Sequence, residues 1–396
     1  MTAAAQVPAL RFPEFGGELQ STRLGDLMTI TSASRVLKEE WTEEGVPFFR
    51  SSDVVSIYKG TRNEKAFISK ALFDKLSKKS GRLYKDDLLV TGGGSIGVPY
   101  LVSSNDPLYS KDADLIWLKN GEQTNGPFIY AFLTSQVFRK YLKSISHIGT
   151  ISHYTIEQAK ATPIRLPSLP EQKKIAAFFE VIDAKITVLQ ERQAGLERYK
   201  RGLMQALISQ TLRFTKDDGT AFPDWEEKRL GDVFEVTRGQ VLAMPETSPI
   251  PTIEKPFPVF SSQTKNNGLA GYHNEYLYED AITWTTDGAN AGDTRFRSGK
   301  FFCTNVCGVL LNSEGYANTF VAEMINQISE RYVSYVGNPK LMNGVMASIK
   351  LNFPHPEEQA KIAEVLLAMD AKITTVAQQV AQMQAYKKGL LQQMFV

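Results

Sequence analysis

Cysteine and histidine are scarce in this sequence of 396 residues, which contains two cysteines and four histidines. A structural zinc site takes four Cys or His ligands, and a disulfide framework needs more than two cysteines, so Cys303 and Cys307 alone provide neither. We expect two half-buried thiols on a strand. The histidines, which show no metal-ligand spacing, are His147, His153, His273 and His355. The sequence therefore predicts no metal centre.

Long apolar runs and a strong charge imbalance are also lacking. No stretch approaches the roughly 18 consecutive apolar residues of a membrane span, and the start, MTAAAQVPAL, has no cationic region followed by an apolar run. We therefore expect no membrane association and a cytoplasmic location. The net charge of +2 argues against a strongly basic nucleic-acid wrapper but leaves room for local basic faces.

Sequence motifs of catalysis and cofactor binding are missing or out of context. "GGGSIG" at 92–97 matches G-x-G-x-x-G, but "VPYLV" follows it where a dinucleotide site needs a helix. The chain has no G-x-x-x-x-G-K-[ST] loop and no Asn-Pro-Pro-aromatic or Asp-Pro-Pro-aromatic motif of the kind amino-methyltransferases use. We predict no cofactor and no catalysis by this chain. The enzymatic alternative, a stand-alone methyltransferase or nuclease, lacks the constellation that it needs.

A long internal repeat is what the sequence does have. The segment EQKKIAAFFEVIDAKITVLQERQAGLERYKRGLMQALIS (171–209) aligns without a gap to EQAKIAEVLLAMDAKITTVAQQVAQMQAYKKGLLQQMFV (358–396), at an offset of 187 positions. Sixteen of the 39 aligned positions are identical. A chain with 42% hydrophobic residues has material for packed cores, and its length suggests two or three domains, as two related halves would give.

Apolar residues recur every seven positions in both copies, which predicts long helices with a coiled-coil seam. The seam positions are Ile175, Ile182, Leu189, Leu196 and Leu203 in the first copy, and Ile362, Met369, Val376, Met383 and Leu390 in the second. Because the copies are self-complementary, we expect them to pair antiparallel as a spacer, with Asp183 near Tyr386 and Asp370 near Tyr199. The alternative is that each helix packs only on its own domain.

A fainter repeat precedes each helix, because "RLGD" recurs at 23–26 and 229–232. The interiors between this phrase and the helices alternate short β-rich runs with glycine- and asparagine-rich loops and a few helical turns. We therefore predict a mixed α/β (α+β) fold with two heads, residues 10–168 and 211–355. Each head is followed by a spacer helix, 169–210 and 356–396, and residues 1–9 stay unassigned.

The sequence resembles the specificity subunits of Type I restriction-modification systems. The resemblance is carried by "LPEQKKIAAFFEVIDAKI", by the helix ends "YKRGLMQAL" and "YKKGLLQQM", by "DDLLVTGGGSIG", and by the restart "LRF…FPDW…RLGDV". It implies two target-recognition domains, each reading one half of a bipartite double-stranded DNA target, separated by an antiparallel coiled coil. It also implies partners: two methyltransferase (modification) subunits and, optionally, restriction/translocase subunits. The alternative is a coiled-coil protein-interaction scaffold without sequence-specific DNA binding.

Loops rich in hydrogen-bonding side chains are the expected DNA contacts, because Arg and Lys suit guanine, Asn and Gln suit adenine, and phosphates take Ser, Thr and Lys. Glycines in these loops allow close backbone approach. In the first head we predict contacts from Arg50, Ser51, Ser52, Gly93, Gly94, Ser95, Lys111, His147, Thr150 and His153. In the second head we predict contacts from Arg238, Gln240, Ser262, Gln263, Lys265, Asn266, Asn290, Arg295, Arg297, Asn338, Lys340 and Asn343.

Overall fold

A computed structural model describes residues 7–111, 114–145, 153–262 and 265–396. The chain divides into two compact units, Met1–Gln190 with Gln378–Val396, and Glu191–Ala377. Each unit therefore contains one head and a part of both long helices.

The described residues of the first unit form short strands, six short helices and part of the long helix α7. Its strands are β1 (Gln20–Arg23), β2 (Thr29–Thr31), β3 (Trp41–Thr42), β4 (Val46–Phe49), β5 (Phe67–Ile68), β6 (Leu88–Thr91), β7 (Pro99–Leu101), β8 (Tyr109–Ser110), β9 (Leu115–Lys119) and β10 (Pro163–Leu166). Its helices are α1 (Leu24–Leu27), α2 (Ser51–Lys59), α3 (Lys70–Ser80), α4 (Gly126–Thr134), α5 (Gln136–Ile145), α6 (Ile156–Lys160) and α7 (Leu169–Ile208). The strands form sheets in the orders β2-β9-β6-β7, β3-β5-β4-β8 and β1-β10.

The strand β6 explains how the first head builds its core on both faces of one sheet. All four of its residues are buried, and alternate side chains point to opposite faces. Leu88 and Val90 pack in the cluster that includes α4 and α5, whereas Leu89 packs with Trp117 on the other face. The run DDLLVT is thus a doubly covered strand, and the glycine-rich loop after it leads into β7 instead of a helix.

The second unit is built on one larger sheet. Its strands are β11 (Glu226–Arg229), β12 (Glu235–Arg238), β13 (Phe257–Phe260), β14 (Leu269–His273), β15 (Tyr278–Thr285), β16 (Thr294–Cys303), β17 (Cys307–Leu311) and β18 (Lys350–Phe353). Its helices are α8 (Leu230–Val233), α9 (Thr319–Ser329), α10 (Asn343–Ser348) and α11 (Pro356–Met394). Six strands form a sheet in the order β12-β17-β15-β16-β13-β14, and β11 pairs with β18. The two cysteines are buried and not half-buried as expected, and they lie on two strands, at the end of β16 and the start of β17.

Both heads are attached to their helices by the same buried ion pair. Arg11 donates to both carboxylate oxygens of Glu171, at 2.7 and 2.8 Å, and Arg213 does the same to Glu358, at 3.2 and 2.9 Å. Glu171 is 2% exposed and Glu358 is fully buried. Bidentate Arg–carboxylate pairs are among the stronger side-chain contacts. This contact explains why "RF" recurs near the start of each head, at 11–12 and 213–214, and why Glu recurs at the start of each long helix.

The glutamine that follows each glutamate is the second shared attachment. Gln172 accepts a hydrogen bond from the backbone N–H of Asn125 at 3.0 Å, and Gln359 accepts one from the side chain of Asn318, also at 3.0 Å. Asn125 and Asn318 are the N-caps of α4 and α9, because each side chain accepts from the third backbone N–H of its helix. The repeated "EQ" therefore connects each long helix to the first turn of a core helix in its head.

The two long helices pair antiparallel, as the sequence predicts. In the first unit, Phe179 stacks near Phe395, and Lys387 lies beside Asp183, so residue numbers rise along one helix as they fall along the other. In the second unit, Lys200 lies beside Asp370. Tyr386 directly precedes Lys387, and Tyr199 directly precedes Lys200. Asp183 therefore pairs with the sequence neighbour of Tyr386, and Asp370 with that of Tyr199, as expected.

The predicted seam positions are turned away from solvent. Seven of them are buried, namely Ile175, Ile182, Leu189, Ile362, Met369, Val376 and Leu390. Three of them are half-buried, namely Leu196, Leu203 and Met383. Val181 and Val188, which precede two seam residues, are 70% and 57% exposed. The heptad register therefore identifies the buried face of both helices.

Candidate nucleic-acid interface

Four predicted contact positions of the first head meet around Asp114. Ser51, at the start of α2, donates to the backbone carbonyl of Asp114 at 2.9 Å, and Lys111 reaches its carboxylate at 2.6 Å. A Cβ on Gly93 would lie 3.4 Å from the Asp114 carboxylate and 3.8 Å from the ring of His153. The segments after β4, β6 and β8 and before α6 are therefore brought to one place, although they are far apart in sequence.

Backbone hydrogen bonds make this junction rigid. The N–H of Gly92 donates to Asp114 O, and the N–H of Tyr154 donates to Gly92 O, both at 2.8 Å. Tyr154 is buried, and its hydroxyl shares a hydrogen bond with Thr162 at 2.7 Å. His153, Gly94 and Ser95 remain exposed above this base. Polar side chains on a fixed backbone are what a base- or phosphate-reading loop requires.

Arg50 is held in a structural contact and not at the free surface. Its guanidinium donates to both oxygens of Asp53, at 2.8 and 3.0 Å, and to the carbonyl of Glu64, and it lies 5.4 Å from the ring centre of Trp41. The hydrogen bond to Asp53 raises the pKa of Arg50. Burial alone would raise the pKa of Asp53, but the hydrogen bonds and charge of Arg50, with a hydrogen bond from Asn63, outweigh burial and lower it.

Ser52 is exposed and accepts a hydrogen bond from Asn63 at 3.1 Å. Ser51 and Ser52 are thus the first two residues of α2, and the side chain of Ser52 faces solvent. His147 and Thr150 lie outside the described residues.

One edge of the six-stranded sheet gathers part of the predicted contacts of the second head. β12 ends at Arg238 opposite Gly308, and β15 ends at Thr285 opposite Cys307, so both strand ends and the start of β17 lie at one edge. Arg238 is exposed and donates to Asn305 O at 2.7 Å, in the turn before β17. The turn therefore holds the guanidinium of Arg238, while the side chain as a whole stays exposed to solvent.

The loop before α10 joins the same edge. Asn343 donates to Thr237 O at 3.2 Å, and the backbone of Lys340 pairs with that of Asp287. The ammonium of Lys340 lies 3.9 Å from the Asp287 carboxylate and is about half exposed. The neighbouring predicted residues Asn290, Asn338 and Gln240 are all exposed. Cations and amides thus share one surface.

A second group of predicted residues meets around Asn267. Arg295 donates to its side-chain oxygen at 2.8 Å, and Arg297 donates to its backbone carbonyl at 2.7 Å. Arg297 also lies 3.8 Å from the ring centre of Phe260. Burial and the nearby charge of Arg295 lower the pKa of Arg297 to about 10. Arg297 is therefore a packed cation at the base of the group, and Arg295, held also by Asp293 at 3.1 Å, is the more exposed one.

The loop that carries Asn267 follows β13. Asn266 and Asn267 both adopt left-handed backbone conformations, with φ of 50° and 55°, which asparagine tolerates better than most residues. Ser262 is half-buried just before this loop, and Lys265 begins its 3-10 turn. Gln263 lies outside the described residues.

Three residues that hold the predicted contacts in place were not among the residues predicted from the sequence. Asp114, Asn267 and Asn305 each hold a predicted cation or loop in place. Asp114 and Asn267 belong to the phrases "YSKDAD" and "TKNNG", where a polar cluster was visible but the anchoring partner could not be distinguished from its neighbours. Asn305 contributes only its backbone carbonyl, for which the side chain gives no signal.

Two stretches of the chain, residues 17–198 and 223–384, match the family model of the Type I restriction modification DNA specificity domain. Together they cover more than half of the sequence. The chain belongs to this family. It is a DNA specificity subunit with two recognition domains, as the resemblance read from its sequence implies.

Curated relatives of this specificity subunit include proteins from Mycoplasma pneumoniae. A putative type I specificity subunit N-terminus is 38% identical over 141 residues, which cover 35% of this chain and 74% of that protein. A second putative type I specificity subunit is 29% identical over 231 residues, which cover 58% of this chain and 82% of that protein. The specificity subunit of M. genitalium, known from a crystal structure, superposes with a TM-score of 0.65 at 18% identity and covers 99% of both chains. This likeness supports the fold: mixed α/β domains with long helices.

Two further properties of the specificity subunit concern the described residues only. Among them, no group of three or more His, Cys, Asp or Glu side chains is arranged to hold a metal ion. Within the same ranges, no helix has the length and hydrophobicity to cross a membrane.

Proposed function

We propose that each recognition domain reads one half of a bipartite duplex DNA target and that the paired helices set the gap between the halves. The repeated attachment carries this proposal. Arg11 with Glu171 and Arg213 with Glu358 connect two different heads to equivalent helix starts. A frame that recurs around dissimilar loops suits a protein that holds two independent readers, whereas an interaction scaffold has no need of variable heads.

In the first head, the proposed reading surface is the group around Asp114, with Ser51, Lys111 and His153 above the 92–97 loop. Lys111 suits a phosphate, and His153 or Ser51 suits a base edge or the backbone. Arg50 would support this surface through its ion pair with Asp53 at the start of α2.

In the second head, the proposed reading surface is the sheet edge with Arg238, Lys340 and Asn343, together with Arg295 beside Asn267. Arg pairs bidentately with guanine and Asn with adenine, so this edge has the donors and acceptors that direct readout uses. The net charge of +2 suits short local contacts rather than a wrapped duplex.

We further propose that this chain directs other subunits and performs no chemistry of its own. Two modification subunits would bind along the helices, and restriction/translocase subunits would be further members of the complex. The complex would act in the cytoplasm. A chain from a structural study of complex assembly in the type I R-M system superposes with a TM-score of 0.56 at 15% identity, which is consistent in fold with such a role.

Selection of bound DNA from random duplexes, using the full chain with its modification subunits, tests this function. We expect two short motifs at a fixed separation. Exchange of residues 28–165 for the equivalent head of a relative should then change one motif and leave the other and the gap unchanged. Enrichment of no motif would support the scaffold alternative. Loss of both motifs after the exchange would show that the heads do not read independently.

A further inference from the structure

A hairpin at the reading edge of the second head exposes two apolar side chains at its tip. Ser334 and Lys340 exchange both backbone hydrogen bonds, each at 2.9 Å, and enclose five residues. Gly337 provides the positive φ, +78°, that closes the turn. Tyr335 is 63% exposed and Val336 is 92% exposed. We call residues 334–340 the tip hairpin.

Both legs of the tip hairpin are anchored in the core of the head. Val333 and Leu341 are buried on either side of it, and Leu341 O accepts a hydrogen bond from the indole N–H of Trp284 at 2.9 Å. The N–H of Leu341 donates to Thr286 O, and the N–H of Gly288 donates to Pro339 O, both at 2.9 Å. Backbone hydrogen bonds and buried flanking residues therefore hold the tip hairpin in place, and the exposed side chains of Tyr335 and Val336 are not needed for its shape.

The surroundings of the tip are polar and suited to DNA. Lys340 stands at its base beside Asp287, and Asn338 and Asn290 are exposed next to it. Single apolar residues at a protein surface are ordinary. Here, however, an aromatic and a β-branched side chain are adjacent on an anchored hairpin and are surrounded by amides and a lysine. The apolar pair could contact DNA bases, and the polar side chains around it could contact phosphates.

We propose that the tip hairpin inserts into the duplex at the second half-site. Val336 acts as a wedge that separates two stacked bases at one base step, and Tyr335 stacks against the face of the base that Val336 unstacks. This inference rests on the proposed reading of DNA by the second head. Apolar wedges between base steps unstack and kink duplexes, and aromatic rings stack on exposed bases without reading their sequence. Lys340 is placed to contact the phosphate beside the opened step.

The experiment uses the full chain with its modification subunits, bound to the selected duplex in which 2-aminopurine replaces one base of the second half-site at a time. We expect a fluorescence rise confined to one step. The rise should be lost in Val336→Ala, which leaves the base stacked, and should become larger in Tyr335→Ala, because a ring stacked on the base quenches part of its emission. The variants should bind the target about tenfold more weakly, from the usual contribution of base stacking. Their melting temperature should not change, because both side chains are exposed.

Three controls distinguish insertion of the tip hairpin from a nonspecific apolar effect, from a phosphate contact alone and from base flipping by the modification subunits. Ile253→Ala removes a fully exposed β-branched side chain from the same head and should change neither fluorescence nor affinity. Lys340→Ala should keep the fluorescence rise and reduce the salt dependence of binding by about one phosphate contact. A base flipped by the modification subunits would also fluoresce, but that signal should persist in Val336→Ala.

Unchanged fluorescence and affinity in both tip variants would overturn the wedge. So would weaker binding of the tip variants to the modification subunits in the absence of DNA, since the tip would then be a protein contact. If the wild-type complex selects no second half-site at all, the proposed function fails, and that result is distinct from failure of the wedge alone.

Discussion

Lys387 donates to both carboxylate oxygens of Asp183, at 2.6 and 2.7 Å, and Lys200 makes the same contact with Asp370 at 2.8 and 2.9 Å. The two pairs are equivalent under the sequence repeat. Each lysine is 19% exposed and occupies a position of the heptad where an apolar residue would ordinarily stand. A shift in helix register would leave these half-buried lysines without their partners. The pairs therefore favour one antiparallel register.

Charge reversal tests this role of the ion pairs. Asp183→Lys places two cations together and should lower the free energy of unfolding by about 1 kcal/mol, a modest value because the aspartate is 44% exposed. The double variant Asp183→Lys with Lys387→Asp should recover most of the loss. Urea unfolding of the four members of this cycle measures the coupling. As a control, reversing the exposed Lys185, two residues away, should change little. Absence of recovery in the double variant would show that the pair does not stabilise this register.

The seam can be tested with two neighbouring residues of α7. Leu189 is 6% exposed, whereas Val188 is 57% exposed. Leu189→Asp buries an unpaired charge and should lower the free energy of unfolding by about 3 kcal/mol, whereas Val188→Asp should cost at most about 0.5 kcal/mol. Thermal unfolding of both variants provides the comparison. Equal effects of the two substitutions would contradict the assigned seam. Leu196, although a seam residue by its heptad position, is only half-buried and is therefore a weaker probe.

The contact between Arg50 and Asp53 should make the first head less stable in acid. The pKa of Asp53 is lower when folded than unfolded, so its contribution is complete above the unfolded pKa, about 4, and is lost as the pH falls through the folded value. Asp53→Asn and Arg50→Ala should each lower the free energy of unfolding at pH 7. Each should also reduce the loss of stability that follows when the pH falls below about 4.

Unfolding measured from pH 7 downwards, with Asp74→Asn as an exposed ion-paired control, checks this expectation. The same two variants also distinguish a structural Arg50 from a DNA-reading one. If Arg50 acts through Asp53, both substitutions should affect DNA selection equally. If Arg50→Ala alone alters the selected first motif, Arg50 reads DNA directly.

Local periodicity explains how much of this fold could be predicted. The heptads identified the buried faces of both helices, since a seven-residue period is a property of neighbouring residues. The repeated "EQ" was visible as an identity, but its contacts with Arg11 and Asn125 join segments far apart in sequence. The lysines of the helix pairs were visible only as polar residues in an apolar register, and their partners depended on the antiparallel alignment.

Sheet order in the heads was beyond the reach of sequence patterns. β13 pairs in parallel with β16 and antiparallel with β14, and neither contact follows from the alternation within β13. The candidate site shows the same limit. "FRSS" and "TRGQ" each place an arginine at or just after the end of a strand, next to polar or small residues, yet Arg50 is tied to a buried carboxylate while Arg238 is exposed. Such differences are decided by non-local packing, which composition does not report.

If the helices set the distance between half-sites, their length should determine the gap. Seven residues inserted after Leu189 in α7, and seven after Val380 in α11, lengthen both helices by about 10 Å and preserve the heptad. The two ion pairs share one register, because Lys200 lies seventeen residues after Asp183 and Asp370 lies seventeen residues before Lys387. That register places the two insertion points opposite each other, so the seam can remain closed.

The expected outcome of this insertion is a new gap with unchanged motifs, measured by DNA selection. B-DNA rises about 3.4 Å per base pair, so 10 Å corresponds to about three additional pairs. Three pairs also rotate the duplex by about a third of its turn of roughly 10.5 pairs, so affinity at the best new gap should fall because the DNA must twist. Insertion into α7 alone is the control, since it breaks the register and should lower stability as well as binding. An unchanged gap with intact affinity in the double insertion would show that the helices do not determine the spacing.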